Sequence, residues 1–433
     1  MAKPMSATAP AVSPADPRPA APASAGITEF SRRRGEGAAA LPQRLHAAAA
    51  LALVEFPDRV RHLWRFTDPV RLLPRRLLAP APQDVGLDAP AVGPVVLAAP
   101  GQTPRLSAAA TACGITVAPL FADADDAEYY GQAVPATAGY FEALNGAAWN
   151  LGLSVRIPRG RHLAEPLRVL IPAPAGGDLL PRLLIVVEES ASLTVVEEHY
   201  GGGAGGLVLG ATEILAGADA EVRHALVQRW ADGQVGHLIQ RAHLARDARF
   251  VGATVSLGGD LAKLDLGAVL AGEGARSEIV GVTLPRQRQH LDHHTLHRHT
   301  AGRTWSNIDF KAAVSDRARS AYTGLIRIEK YAPGSEAYQE NRNLLLGEQA
   351  RADTIPELEI LTDEVSCSHG ATVAPVDPEQ IHYLRSRGLP PEAALYLIVR
   401  GFVESALAQT PDGVREELDA LITARLAGLR RAE

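Results

Sequence analysis

Between Leu183 and Leu361, short β-rich runs return at a nearly constant interval of roughly fourteen residues. Their centres fall near Val195, Ala211, Ala225, Gln240, Ala253, Gly267, Val280, Leu296, Asp309, Gly324, Asn341 and Glu357. A short fixed period constrains the fold tightly, because no single unit can bury its apolar face alone and successive units must stack. The corners repeat as well. An alanine beside a small or charged residue precedes alternate runs at Ser190-Ala191, Asp219-Ala220, Asp247-Ala248, Gly274-Ala275, Arg317-Ala318 and Gln349-Ala350. Two strands and two corners per coil predict a mainly β chain built on a flattened, right-handed parallel β-helix, with alternate residues of each strand filling a continuous core.

A stack of coils ends in unpaired strand edges, which invite aggregation unless something covers them. The flanking segments are the expected caps, giving four regions: an Ala/Pro-rich disordered tail over 1–26, an N-terminal α/β-helical domain over 27–160, the β-helix over 161–375 and a C-terminal helical domain over 376–433. Leu41 to Val54 has leucines at helical spacing and stops before Phe56-Pro57. Tyr140 to Leu153 predicts a helix ending near Asn150 to Gly152, with a turn at Pro158 to Gly160. On the C-terminal side, Asp377, Pro378 and Gln380 supply an N-cap, a proline at N1 and a capping-box glutamine, and Gly388 ends that helix. A second helix from Pro390-Pro391 carries Leu395, Ile398, Val399 and Phe402, and a third after Pro411 carries Leu418, Leu421, Ile422 and Leu429. Periodicity leaves open whether these stripes are buried within the chain or offered to a partner.

Composition excludes several functions. The formal charge of −6 is spread along the chain and offers no basic footprint for nucleic acid. No apolar run reaches the roughly 20 residues of a membrane span, and the first segment lacks an export signal. Two cysteines, Cys113 and Cys367, build no disulfide framework. A reduced, cytoplasmic protein with protein partners is expected. The chain has no G-x-x-x-x-G-K-[ST] loop, no G-x-S-x-G elbow and no C-x-x-C, so no ATPase or hydrolase chemistry of its own is expected. The glycines from Gly201 to Gly206 read as a corner loop.

Two places carry chemistry-bearing side chains. Cys367 and His369 share parity on a strand, about 7 Å apart along it, and could share a ligand. One thiol and one imidazole do not complete a four-ligand shell, so the remaining ligands would come from another chain. In LDHHTLHRHT, His293, His297 and His299 fall on one strand face and His294 on the other. They are read as a solvated face of the β-helix rather than a metal site. Glu357, Glu359, Asp363 and Glu364 read as surface charges, with pairing to arginines at a subunit contact as the alternative.

The succession PELEI, DEVSCSHGAT and EQIHYLRSRG over residues 356–388 resembles the SufB/SufD family of iron-sulfur cluster assembly proteins, and within it the SufD branch. A second element, Trp64-Arg65-Phe66-Thr67, resembles that branch's N-terminal signature. The likeness covers most of the chain from about Glu55. It implies a non-catalytic scaffold in the SUF system that binds no cofactor tightly and helps build a transient iron-sulfur cluster. A SufB-like subunit would pair through the β-helix, and a SufC-like ATPase would dock on the C-terminal helices over about 378–409. A homodimer in isolation is the other assembly it allows. His369 and Cys367 match the cluster-interface motif, and Asp377, Tyr383, Arg385, Arg387 and Phe402 are the candidate partner-binding residues. The rival readings are a β-helix polysaccharide-processing enzyme, disfavoured by the missing export signal, and the SufB role itself, which would bring further cysteines along the β-helix.

Overall fold

The structure is a computed structural model that describes residues 19, 21–60, 62–82, 95–97, 104–407, 410 and 412–427. It is a parallel β-solenoid of about eight turns flanked by helices at both ends of the chain, as the period predicts. All twelve run centres lie on strands. One sheet, sheet one here, stacks Leu167–Ala173, Ser192–Gly201, Glu221–Trp230, Arg249–Ser256, Arg276–Thr283, Trp305–Val314, Ser335–Leu345 and Val365–Pro375 in parallel. The facing sheet two runs from Leu151–Ile157 through Pro181–Val187, Gly206–Ala216, Val235–Leu244, Leu261–Leu270, His290–His299 and Arg319–Ile328 to Arg351–Ile360.

Alternation along each strand builds the core. Val195, Leu226, Phe250, Ile279 and Ile308 from sheet one meet Ile185, Ile214, Leu238, Leu264 and Ile326 from sheet two in one cluster. Burying each large apolar side chain contributes about 1.5–3 kcal/mol. The corners on one side are a ladder. Ser190, Asp219, Asp247, Gly274, Arg303 and Gly334 all have positive φ, and the next residue, Ala191, Ala220, Ala248, Ala275, Thr304 or Ser335, points inward and is buried. Each positive-φ residue donates its N–H to a carbonyl one coil on, as Asp219 does to Arg246 at 2.9 Å and Gly334 to Glu364 at 2.7 Å. The alanine series read from sequence therefore changes side: Ala318 and Ala350 stand before strands of sheet two, while Thr304 and Ser335 continue the first column.

The described helices pack on outer faces. Pro391–Leu407 and Asp412–Leu426 bury Val399, Val403, Leu418 and Ile422 against Val196, Ala225, Val255 and Val282 of sheet one. Those two stripes are thus satisfied within the chain, and Leu429 lies outside the described residues. Helix Pro378–Ser386, capped by Asp377 through the Glu379 N–H at 2.8 Å, buries none of its residues.

On sheet two, Trp64 stacks on Phe141 with centroids 4.9 Å apart, and both pack over Leu209, Ile239 and Leu261. The helix Tyr140–Ala148 ends two residues before Leu151–Ile157 begins. Sealed under this layer, Arg182 donates to Glu213 at 2.5 Å, and Glu213 accepts from the N–H groups of Gly131, Ala133 and Val134. Of the N-terminal tail, residues 1–18 and 20 lie outside the described residues, and from Ser24 the chain is already helical.

The two ends of the stack differ. At the first, Val95–Leu97 pairs with Leu167–Ala173 and Thr116–Pro119 pairs antiparallel with Leu151–Ile157. At the last, Arg351–Ile360 and Val365–Pro375 each have a strand neighbour on one side only among the described residues. No residue of either strand is fully buried.

Candidate functional site

The open last coil is where the chemistry-bearing residues of the sequence converge. Strand Val365–Pro375 lies in parallel register on Ser335–Leu345, with Cys367 beside Ala337 and His369 beside Gln339. Ala337 and Gln339 are buried and face the interior, so Cys367 and His369 continue the same inward column. At the last coil that column opens to solvent. Cys367 is half-buried against the end of the core, and its burial raises the thiol pKa, so the neutral thiol is favoured. His369 is exposed, and its ring makes no hydrogen bond to any described residue.

The coil beneath is polar. Asn343 donates to Asn341 at 2.6 Å and to the Thr372 carbonyl at 3.1 Å, and Gln339 donates to the Gly324 carbonyl at 3.3 Å. Gln339 Oε1, Asn343 Oδ1 and Thr354 Oγ1 are buried with no hydrogen-bond partner among the described residues. The alternation Gln339, Asn341, Asn343 on an inward parity was visible in the sequence as a polar stripe of period two, and sequence reasoning passed over it.

The partner-binding candidates divide. Tyr383 and Arg385 are exposed on helix Pro378–Ser386, and Arg387, exposed at its C-cap, lies over the Tyr383 ring at 5.3 Å. Asp377 is occupied as the N-cap of that helix. Phe402 turns toward sheet one, where Lys311 lies 5.8 Å from its ring. Among the acidic residues, Glu359 pairs with Arg327 of the same chain at 2.9 Å, and Asp363 and Glu364 are exposed.

The histidine strand requires a correction. His293, His297 and His299 do share a face, but it is the interior of the solenoid, where they are 1%, 0% and 0% exposed, and not a solvated surface. Two of them find polar partners on sheet one and its corner: His297 Nε2 meets Ser277 Oγ at 2.8 Å, and His299 meets Thr304 and Ser306 at 2.7 and 2.8 Å, while His293 Nε2 has no partner among the described residues. Burial lowers His293 and His299 to about 4 and His297 well below its ordinary value, so all three are neutral. Outside, His294 bonds Asp265 at 2.5 Å. Among the described residues no three His, Cys, Asp or Glu side chains are placed to hold a metal ion. A second buried polar knot, Glu197 between His199 at 2.7 Å and His224 at 2.9 Å, also lies inside the stack. Burial alone would raise the Glu197 pKa, but these two imidazoles hold it well below the carboxylate range.

Fold and site together define a β-solenoid protein with one unfinished end that presents a thiol and an imidazole. Residues 171–402 match the family model described as SUF system FeS cluster assembly, SufBD core domain. The chain is 32% identical over 286 residues to an iron-sulfur cluster assembly SufBD family protein of Mycobacterium tuberculosis, covering 64% of this chain and 71% of that one. It is 29% identical over 321 residues to a SufBD family protein of Staphylococcus saprophyticus and 28% identical over the same length to one of Staphylococcus aureus, with 71% of this chain and 69% of each relative covered. The chain belongs to the SufBD family of iron-sulfur cluster assembly proteins. No helix among the described residues is long and apolar enough to cross a membrane.

Proposed function

We propose that this chain is a SufD-type scaffold subunit that completes its last coil against a SufB-like partner, so that a nascent iron-sulfur cluster forms between them. The observation that carries this reading is strand Val365–Pro375: it holds Cys367 and His369, has a strand neighbour on one side only among the described residues, and is exposed along most of its length. Such an edge pairs readily with another extended strand. His369 then supplies one ligand or proton partner, and the incoming chain supplies the rest of the four-ligand shell that one imidazole and one thiol leave short. The cluster is cargo passed onward. The absence of any cysteine between Cys113 and Cys367 favours the SufD role over the SufB role.

A SufC-like ATPase docks on helix Pro378–Ser386, whose open face carries Tyr383 and Arg385, with Arg387 at its C-cap. Support comes from the adjoining groove of about 1090 Å³, lined by Leu346, Pro375, Ile381, Pro391 and Leu395. The groove lies between that helix and the end of the exposed strand, which places the docking surface next to the site.

Co-expression with SufB-like and SufC-like chains, followed by cluster reconstitution, tests the reading. A stable ternary complex whose cluster yield collapses in His369→Ala is expected. Unchanged yield in that variant removes His369 from the site.

A further inference from the structure

Gln339 lies one strand beneath His369 in the same inward column, and the two are register partners on adjacent parallel strands. Its carboxamide is oriented. Nε2 donates to the Gly324 carbonyl at 3.3 Å, which leaves Oε1 as a buried acceptor with no partner among the described residues. Room for this arrangement depends on Gly324: a Cβ built there would stand 2.3 Å from Gln339 Nε2 and 2.6 Å from the Tyr322 hydroxyl. A glycine that clears the space, a hydrogen bond that fixes the amide and an oxygen left without a partner thus leave one buried acceptor on the strand next to the one that carries His369. A buried carbonyl oxygen left unpaired is destabilising, and a function for that oxygen would account for its persistence.

We infer that Gln339 is a positioning residue for His369: its Oε1 accepts the ring N–H when His369 is engaged at the subunit interface. An imidazole that binds a metal through one nitrogen normally donates its other N–H to a carbonyl or carboxylate, which fixes both tautomer and ring orientation. Gln339 supplies that oxygen from within the chain, and the partner does not need to. The inference rests on the proposed role of His369 as a ligand or proton partner.

The experiment uses the complex with the SufB-like subunit, with this chain labelled with 15N-histidine and the His369 ring signals assigned by their loss in His369→Ala. Wild type shows a single ring tautomer, and Gln339→Leu shows an average of two. Gln339→Glu, which as the neutral acid keeps both a donor to Gly324 and an acceptor oxygen, restores the single tautomer. Cluster yield falls about tenfold in Gln339→Leu, and adding His369→Ala lowers it no further. Gly324→Ala, which displaces the amide without removing it, reproduces the tautomer averaging and guards against a fold defect in the leucine variant. A single unchanged tautomer in both Gln339→Leu and Gly324→Ala overturns the inference. Averaged tautomers combined with a cluster yield that His369→Ala leaves intact would instead uphold the Gln339 contact and remove the proposed role of His369.

Discussion

Lys263 and Asp292 stand 3.3 Å apart beneath the indole of Trp64, each with 2% of its side chain exposed. The lysine lies 4.9 Å from the indole ring and donates to the Leu63 carbonyl at 2.7 Å, while Asp292 accepts from Thr67 at 2.5 Å. The Trp-Arg-Phe-Thr element is therefore a strap held on sheet two by a sealed ion pair. Burial would raise the Asp292 carboxyl, but Lys263 and its other neighbours hold it below the ordinary value.

Removing one member of that pair leaves the other buried without its counter-charge. Lys263→Met is expected to cost about 3–5 kcal/mol and to expose residues 54–67 to limited proteolysis. The double variant Lys263→Met/Asp292→Asn is expected to recover most of the loss. Thermal unfolding of the three proteins checks this, and equal loss in single and double variants would show that the pair does not hold the strap.

Acid should loosen the solenoid before carboxylates titrate. His237 is lowered to about 3 by burial, and His290, His293 and His299 to about 4, against an ordinary 6.5. These rings stay neutral when folded, whereas the unfolded chain takes up protons below pH 6.5. Their contribution is thus fully present above that pH and is lost as pH falls toward 4. The melting temperature should drop steadily across that window, with a shallower slope in His293→Leu, whose ring packs 5.6 Å from Phe310. A flat profile from pH 6.5 to 4 would contradict the neutral interior.

Burial disfavours the Cys367 thiolate, and the thiolate is the form that alkylates. In a Cys113→Ser background, Cys367 should react with iodoacetamide at pH 8 several-fold more slowly than a free thiol, and more slowly still after a SufB-like chain is added. Reaction at the rate of free cysteine, unaffected by the partner, would place the thiol outside any interface.

The C-terminal helices separate docking from stability. Tyr383→Ala/Arg387→Ala alters an exposed face and should change stability by no more than about 0.5 kcal/mol while weakening ATPase binding at least tenfold. Phe402→Ala removes a ring packed on sheet one and should lower the melting temperature. Calorimetry and pull-down together check both, and retained ATPase binding in the Tyr383/Arg387 variant would move the docking site elsewhere.

Much of the body was legible because a solenoid writes its period directly into the chain. Every run centre became a strand, and the corner alanines at 191, 220, 248 and 275 marked one true column. That column was lost at its next two positions because Thr304 and Ser335 replace alanine there; their hydroxyls face each other at 2.8 Å, and Thr304 also meets His299. A sequence period reveals which residues share a face but not which face is inside. His293, His297 and His299 were accordingly grouped correctly and placed on the wrong side. Gln339 and the Arg182–Glu213 pair depend on register between strands about thirty residues apart, which no local pattern encodes. Chain-wide rarity held one overlooked clue. Lysine occurs at only four positions, and two of them, Lys263 and Lys311, are buried where the N-terminal strap and the C-terminal helices are tied to the sheets.

The bare rim formed by Arg351–Ile360 and Val365–Pro375 also bears on dosage. A rim of this kind accepts extended backbone with little regard for its owner, so an uncovered rim is a self-templating surface. Copies of this chain at high concentration therefore offer one another the same open edge, so association through it should rise steeply with concentration.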